Sequence, residues 1–173
     1  MAEQSSPSFE RFFHGSAKKF EVIEARQARP ARQGVITPDG ESLKAIYVTP
    51  DPRFALAFAA LPEGDATIDP YSQTVIFEHP QLFDPSRDVY VYEIDSRAIP
   101  HEKMRNIDPL QYAIVDVPSV VPVHIHTIKA GILFRHYRML NWKPNLGRKR
   151  DLLLNFSDKV HIAYQTIIQH VPI

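Results

Sequence analysis

The chain has no cysteine, so structural disulfides and thiolate-bound zinc are both excluded. It has no net charge either: 20 Lys and Arg stand against 20 Asp and Glu, and no global field favours nucleic acid or an anionic membrane as partner. Its opening, MAEQSSPSFERFF, lacks the apolar core of an export signal, and no apolar run is long enough to span a bilayer. The expectation is a soluble, cytoplasmic protein that does not engage membranes. Glycine is scarce, at 6 residues against 15 prolines. That balance disfavours long helices and points to extended segments with abrupt turns. Also missing are the phosphate loop GxxxxGK[ST], the dinucleotide fingerprint GxGxxG, the zinc motif HExxH and the nucleophile elbow GxSxG. The common kinase, Rossmann, zinc-protease and hydrolase readings therefore have no support.

What is present is mostly strand. At 173 residues the chain suits one domain over 9–173, with residues 1–8 as a frayed polar N-terminus. Phe9–Phe13 reads as a short strand ending at Gly15. A long loop carrying Pro30, Gly34, Pro38 and Gly40 follows, then the strand AIYVTP. DPRFALAFAALPEG reads as a helix, with Asp51 as N-cap, Pro52 at the first helical position and an apolar stripe of Phe54, Ala55, Phe58 and Ala59. Strands then dominate: TVIFEH, DVYVYEID, QYAIVDV, VPVHIHTI and the segment GILFRHYRM. The last stretch, about 148–171, carries Leu152, Leu153, Phe156, Val160, Ala163, Ile167 and Ile168 at helical spacing. The class is α+β, with one early helix and a helical C-terminal tail.

Three segments carry groups suited to chemistry. RFFHGSAKKF places a titratable imidazole, a glycine and a hydroxyl at the end of an apolar strand. IYVTPDPRFALAF sets Tyr47 and Phe58 eleven residues apart across a turn; two such rings can flank a flat heteroaromatic ligand, although spacing alone favours ordinary core positions for both. LQYAIVDVPSVVPVHI supplies Gln111 at the start of a third strand.

Taken in order, HGS, IYVTP plus a small-residue helix, and QYAIV resemble the ADP-ribosyltransferase superfamily over roughly residues 12–128. The branch is the one with a His, Tyr, Glu motif set, which includes poly(ADP-ribose) polymerases and diphtheria-toxin-like enzymes; small bacterial antibiotic-modifying members also have a VYVTP-type strand after a long loop. The resemblance implies two packed antiparallel sheets around an NAD cleft. It also implies transfer of ADP-ribose from NAD to an acceptor, with loss of nicotinamide and no need of a metal. Residue by residue, it implies that His14 bonds the adenine-side ribose, Gly15 holds the carboxamide through its backbone and Ser16 lies near the adenosine. Tyr47 and Phe58 would sandwich the nicotinamide, with Thr49 and Arg32 also on the cofactor. Gln111 would orient the reacting ribose, so that the catalytic set is His14, Tyr47 and Gln111.

Two positions depart from the pattern. Ala55 stands where the polymerases have a carboxamide-binding serine, and Gln111 stands in place of the glutamate. A neutral amide can hold a ribose hydroxyl but supplies no counter-charge to an oxocarbenium-like ribose. That disfavours chain elongation and leaves three options: mono-ADP-ribosyl transfer, NAD hydrolysis, or a non-catalytic module binding NAD, ADP-ribose or a protein. Glu93, Asp95, Asp108 and Asp116 are the alternative carboxylates, Asp108 foremost. The acceptor, whether protein, nucleic acid, small molecule or water, is not specified by the sequence.

Other features are less directive. Arg26, Arg29 and Arg32 recur every third residue, and suit either a pyrophosphate or a solvated loop. His124 and His126 share one strand face, a spacing that can chelate a metal, with His136 and His161 as further ligands. No carboxylate lies at a supporting interval in the sequence, so solvent-facing histidines are the preferred reading. GRKR at 147–150 reads as a solvated turn.

Overall fold

The structure, a computed structural model, describes residues 10–27, 43–61 and 66–141. It is mixed α+β: mostly strands in several sheets, with one α-helix among the described residues. The strands are β1 (Arg11–Ser16), β2 (Ile23–Glu24), β3 (Arg26–Gln27), β4 (Lys44–Val48), β5 (Ala66–Asp69), β6 (Thr74–Phe77), β7 (Asp88–Asp95), β8 (Met104–Asp108), β9 (Gln111–Val115), β10 (Ser119–Val120), β11 (His124–Lys129) and β12 (Arg138–Leu140). The helix α1 spans Pro52–Ala60. The C-terminal helical expectation at 148–171 lies outside the described residues, as do the N-terminal residues 1–8.

Two sheets form the body. One has the order β1-β7-β11, the other β3-β4-β9-β8, and every pairing within them is antiparallel. The strand DVYVYEID is apolar on both sides because both sides are covered. Val89 and Val91 point to a cluster under α1, whereas Tyr92 and Ile94 point to a second cluster. That second cluster is shared with the other sheet, through Ile46 and Val48 of β4 and Tyr112 and Ile114 of β9. Phe12 and Phe13 split in the same way, Phe12 into the intersheet cluster and Phe13 beneath the helix. A two-stranded β2-β10 pair and a sheet of order β12-β6-β5 complete the architecture.

The expectation of two sheets is thus too simple. The additional sheet includes a parallel pair, β12 with β6. The segment GILFRHYRM is not one strand: Ala130–Arg135 is a 3₁₀ helix, and only Arg138–Leu140 is extended. Within it, Ile132 and Leu133 are buried and Phe134 and Arg135 face outward, a helical rather than a two-residue period.

The helix begins as expected. Asp51 accepts a hydrogen bond from the Arg53 amide at 2.8 Å, and Pro52 occupies a position whose amide needs no partner. Its apolar stripe is wider than expected, since Phe54, Ala55, Leu56, Ala57, Ala59 and Ala60 are all buried. Phe58 is the exception, 49% exposed and paired with Phe54 at 4.8 Å between ring centroids. The alanines let α1 lie directly on β1 at Gly15. A Cβ on Gly15 would sit 1.8 Å from the Ala55 carbonyl oxygen, so no larger residue fits without moving the helix.

Gly15→Ala is therefore expected to lower stability by about 2 kcal/mol or more. In thermal unfolding this corresponds to a melting temperature lower by roughly 4–8 °C. An unchanged melting temperature would show that α1 does not rest on β1 in this way.

Candidate functional site

The two main sheets meet at a seam between β1 and the end of β4. Phe13 donates its amide to the Thr49 carbonyl at 2.7 Å, and Thr49 returns the bond to Phe13 at 2.9 Å. One residue further on, the half-buried His14 points its Nδ1 at the Tyr47 carbonyl, 2.8 Å away. A carbonyl only accepts, so Nδ1 carries the proton and Nε2 of the neutral ring is left as an acceptor. Burial pushes the His14 pKa below its ordinary value; the bond to Tyr47 opposes this, and the nearby Arg26 guanidinium adds to it. The ring is thus neutral at neutral pH.

β4 in turn pairs with β9, with Tyr47 opposite Ala113. Gln111 lies two residues before Ala113, and so on the same face of the sheet as Tyr47. Three segments separated by more than sixty residues in places are therefore consecutive neighbours: β1, β4, β9. Tyr47 lies on the face turned away from the intersheet cluster, half-buried over Ala45, Ala113 and Val115. Its hydroxyl donates to the Leu43 carbonyl at 3.1 Å.

The remaining expected residues have evident structural duties. Gly15 meets the Ala55 carbonyl, which gives packing a claim on this glycine independent of any ligand. Ser16 accepts from the Lys18 amide at 3.1 Å, holding the turn after β1. Thr49 is buried, and its hydroxyl accepts from the Asp51 amide at 3.0 Å. α1 packs chiefly on β1, β7 and the 3₁₀ turn at 130–135, and no ring contact joins Phe58 to Tyr47. Ala55 is buried against Gly15. Arg32, with Arg29, lies outside the described residues.

The alternative carboxylates are dispersed. Asp108 is opposite Gln111 across a tight hairpin, but it accepts from the Leu110 amide at 2.7 Å and from the Tyr71 hydroxyl at 3.4 Å. Asp95 is bound by Arg97, whose guanidinium hydrogen bonds lower its pKa to about 2. Asp116 is exposed and 3.6 Å from Lys103.

Glu93 lies on the α1 face of its sheet. It pairs with Arg11 at 2.7 Å and with His126 Nε2 at 3.2 Å. No carboxylate lies at a supporting interval in the sequence, but Glu93 reaches His126 from the neighbouring strand, where it is directly opposite His124. Sequence spacing could not reveal it, because the partners are 33 residues apart. Even so, no group of three metal-ligating side chains is gathered among the described residues. Arg11 also holds one of the Glu93 oxygens.

Tyr92 is the residue that sequence reasoning missed. It is fully buried beside His14, with ring centroids 6.0 Å apart. Its hydroxyl accepts from the Phe20 amide at 2.7 Å and donates to the Lys18 carbonyl at 3.0 Å. The loop that follows the HGS motif is thereby fastened to the core. In sequence Tyr92 is only one apolar position of an alternating strand, and partners that are backbone atoms leave no residue signature.

Compared with protein-family models, curated proteins and solved structures, the chain gives no match. Among the described residues, no helix is long and apolar enough to cross a membrane.

The lowered pKa of His14 carries a sign. Between the folded value and about 6.5 the unfolded chain binds the proton that the folded chain refuses. Stability contributed here is complete above about pH 6.5 and is lost as pH falls through that window. NMR titration should find His14 protonating below the ordinary histidine value, and His14→Gln should flatten the acid-side loss of stability, leaving the part due to His136, which is also lowered by burial. A His14 that titrates at or above its ordinary value would contradict the described burial.

Proposed function

We propose that the chain is an NAD-dependent mono-ADP-ribosyltransferase with an ADP-ribosyltransferase-like fold. The observation that carries the reading is the contiguity of the three motif strands. His14 bonds to the backbone at Tyr47, and β4 pairs with the strand that opens on Gln111. Motifs that resemble the family only in their order along the chain are thus also neighbours in space.

In this reading the unprotonated Nε2 of His14 accepts a hydrogen bond from a ribose hydroxyl, and Tyr47 offers its ring to the nicotinamide. Gln111, whose side chain has no partner among the described residues, holds a hydroxyl of the reacting ribose. The glycosidic bond breaks with its electron pair leaving on the nicotinamide nitrogen. An acceptor nucleophile then bonds to the anomeric carbon and gives up its proton. Water as the acceptor makes the same reaction NAD hydrolysis.

A second reading has its own support. Gln111 supplies no charge, and Glu93 and Asp95 are engaged with Arg11 and Arg97. A module that binds NAD or ADP-ribose without cleaving it would need no carboxylate here.

Incubation with NAD separates the two. Catalysis predicts nicotinamide release and transfer of label from the ADP-ribose half. His14→Ala and Tyr47→Ala should each reduce turnover by roughly 100-fold or more, and Gln111→Glu should raise it by restoring a counter-charge. Turnover that survives both alanine substitutions would overturn the site. Binding without turnover would select the module.

A further inference from the structure

Beside His14 the structure builds a braced cation. The Phe20 ring stacks on Tyr92, at 6.3 Å between centroids and 23° between planes, and the Arg26 guanidinium lies 4.8 Å over Phe20. Phe20 is itself fixed, because its amide donates to the buried Tyr92 hydroxyl. An arginine held against an aromatic face keeps its planar edge free for oxygen ligands while its methylene stem is ordered. Among the described residues no carboxylate pairs with Arg26; Glu21 and Glu24, its exposed acidic neighbours in sequence, make no ion pair with it. Lys18 and Lys19, on the loop that Tyr92 fastens, are also exposed and make no ion pair with any described residue. Over residues 18–26, Lys18, Lys19 and Arg26 stand against Glu21 and Glu24, which leaves a net charge of +1 on the segments around a neutral imidazole. The effect of Arg26 on His14 shows that the two are within electrostatic reach.

We propose that Arg26, braced on Phe20, is the diphosphate anchor of this site. The ligand taken is then an ADP-ribose-bearing molecule rather than nicotinamide or its nucleoside. The inference rests on the NAD reading of His14, but it concerns the phosphates and is separable from cleavage. A guanidinium edge suits two phosphate oxygens, and the lysines widen the field without fixing geometry.

The test compares NAD, ADP and nicotinamide riboside by calorimetry on wild type, Arg26→Gln and Arg26→Lys. The expected result is a loss of roughly 10–100-fold in affinity for NAD and ADP with Arg26→Gln. Affinity for the riboside should be unchanged, the lysine variant intermediate, and the melting temperature unaltered because the side chain is exposed. ADP binding should also raise the His14 pKa in wild type, an effect that a merely structural role for Arg26 would not produce. If ADP binds through Arg26 but nicotinamide is never released, catalysis fails and the anchor stands. If NAD is turned over and Arg26→Gln binds it as wild type does, the anchor alone is overturned. If wild type binds neither NAD nor ADP, both are overturned.

Discussion

A single pair of backbone hydrogen bonds, between Phe13 and Thr49, joins the two main sheets where it matters for the site. Its place is set from both sides. Beneath it, Gly15 admits the backbone of α1, and Thr49 passes the chain into that helix by accepting from the Asp51 amide that precedes it. Above it, His14 extends the junction by one further bond to Tyr47. Of the candidate site, His14, Gly15, Tyr47 and Thr49 are therefore also residues of the joint. Their positions are fixed by packing before any ligand arrives, which is the condition under which polar groups act without reorganisation.

The same joint explains the state of His14. A ring at an exposed strand end would keep its ordinary proton affinity. Here the core ring of Tyr92 and the seam shield it, and its Nδ1 proton is committed to a carbonyl. What remains is a neutral acceptor within electrostatic reach of the Arg26 guanidinium. Glu93, by contrast, belongs to the opposite face of its sheet, with Arg11 and His126. The two polar clusters flank β1 and β7 without sharing a face.

Much of the strand pattern was legible in the sequence, and for a definite reason. DVYVYEID and QYAIV are central strands whose apolar content reflects cover on both sides, and Asp51-Pro52 announces α1 through its cap. The strands β5 and β8 were not legible, because their ATID and MRNID residues alternate only weakly between half-buried and exposed. Ala130–Arg135 misled because a short apolar run does not distinguish a 3₁₀ helix from a strand. At the site, the type and order of His14, Tyr47 and Gln111 could be read from the chain. The Tyr92 hydroxyl, the Phe20 stack and the Glu93–His126 pair could not, since each depends on register between strands far apart in sequence.

The central claim of the proposed function is that one ligand bridges the seam of β1, β4 and β9, from His14 on one side to Tyr47 and Gln111 on the other. Its most direct measurement is an NMR titration with NAD, following the His14 imidazole, the Tyr47 ring and the Gln111 side-chain amide together. The account predicts that all three shift with one common dissociation constant while the His126 ring, on the other face, stays still. Shifts confined to His126 and Glu93, or no shift at saturating NAD, would contradict it.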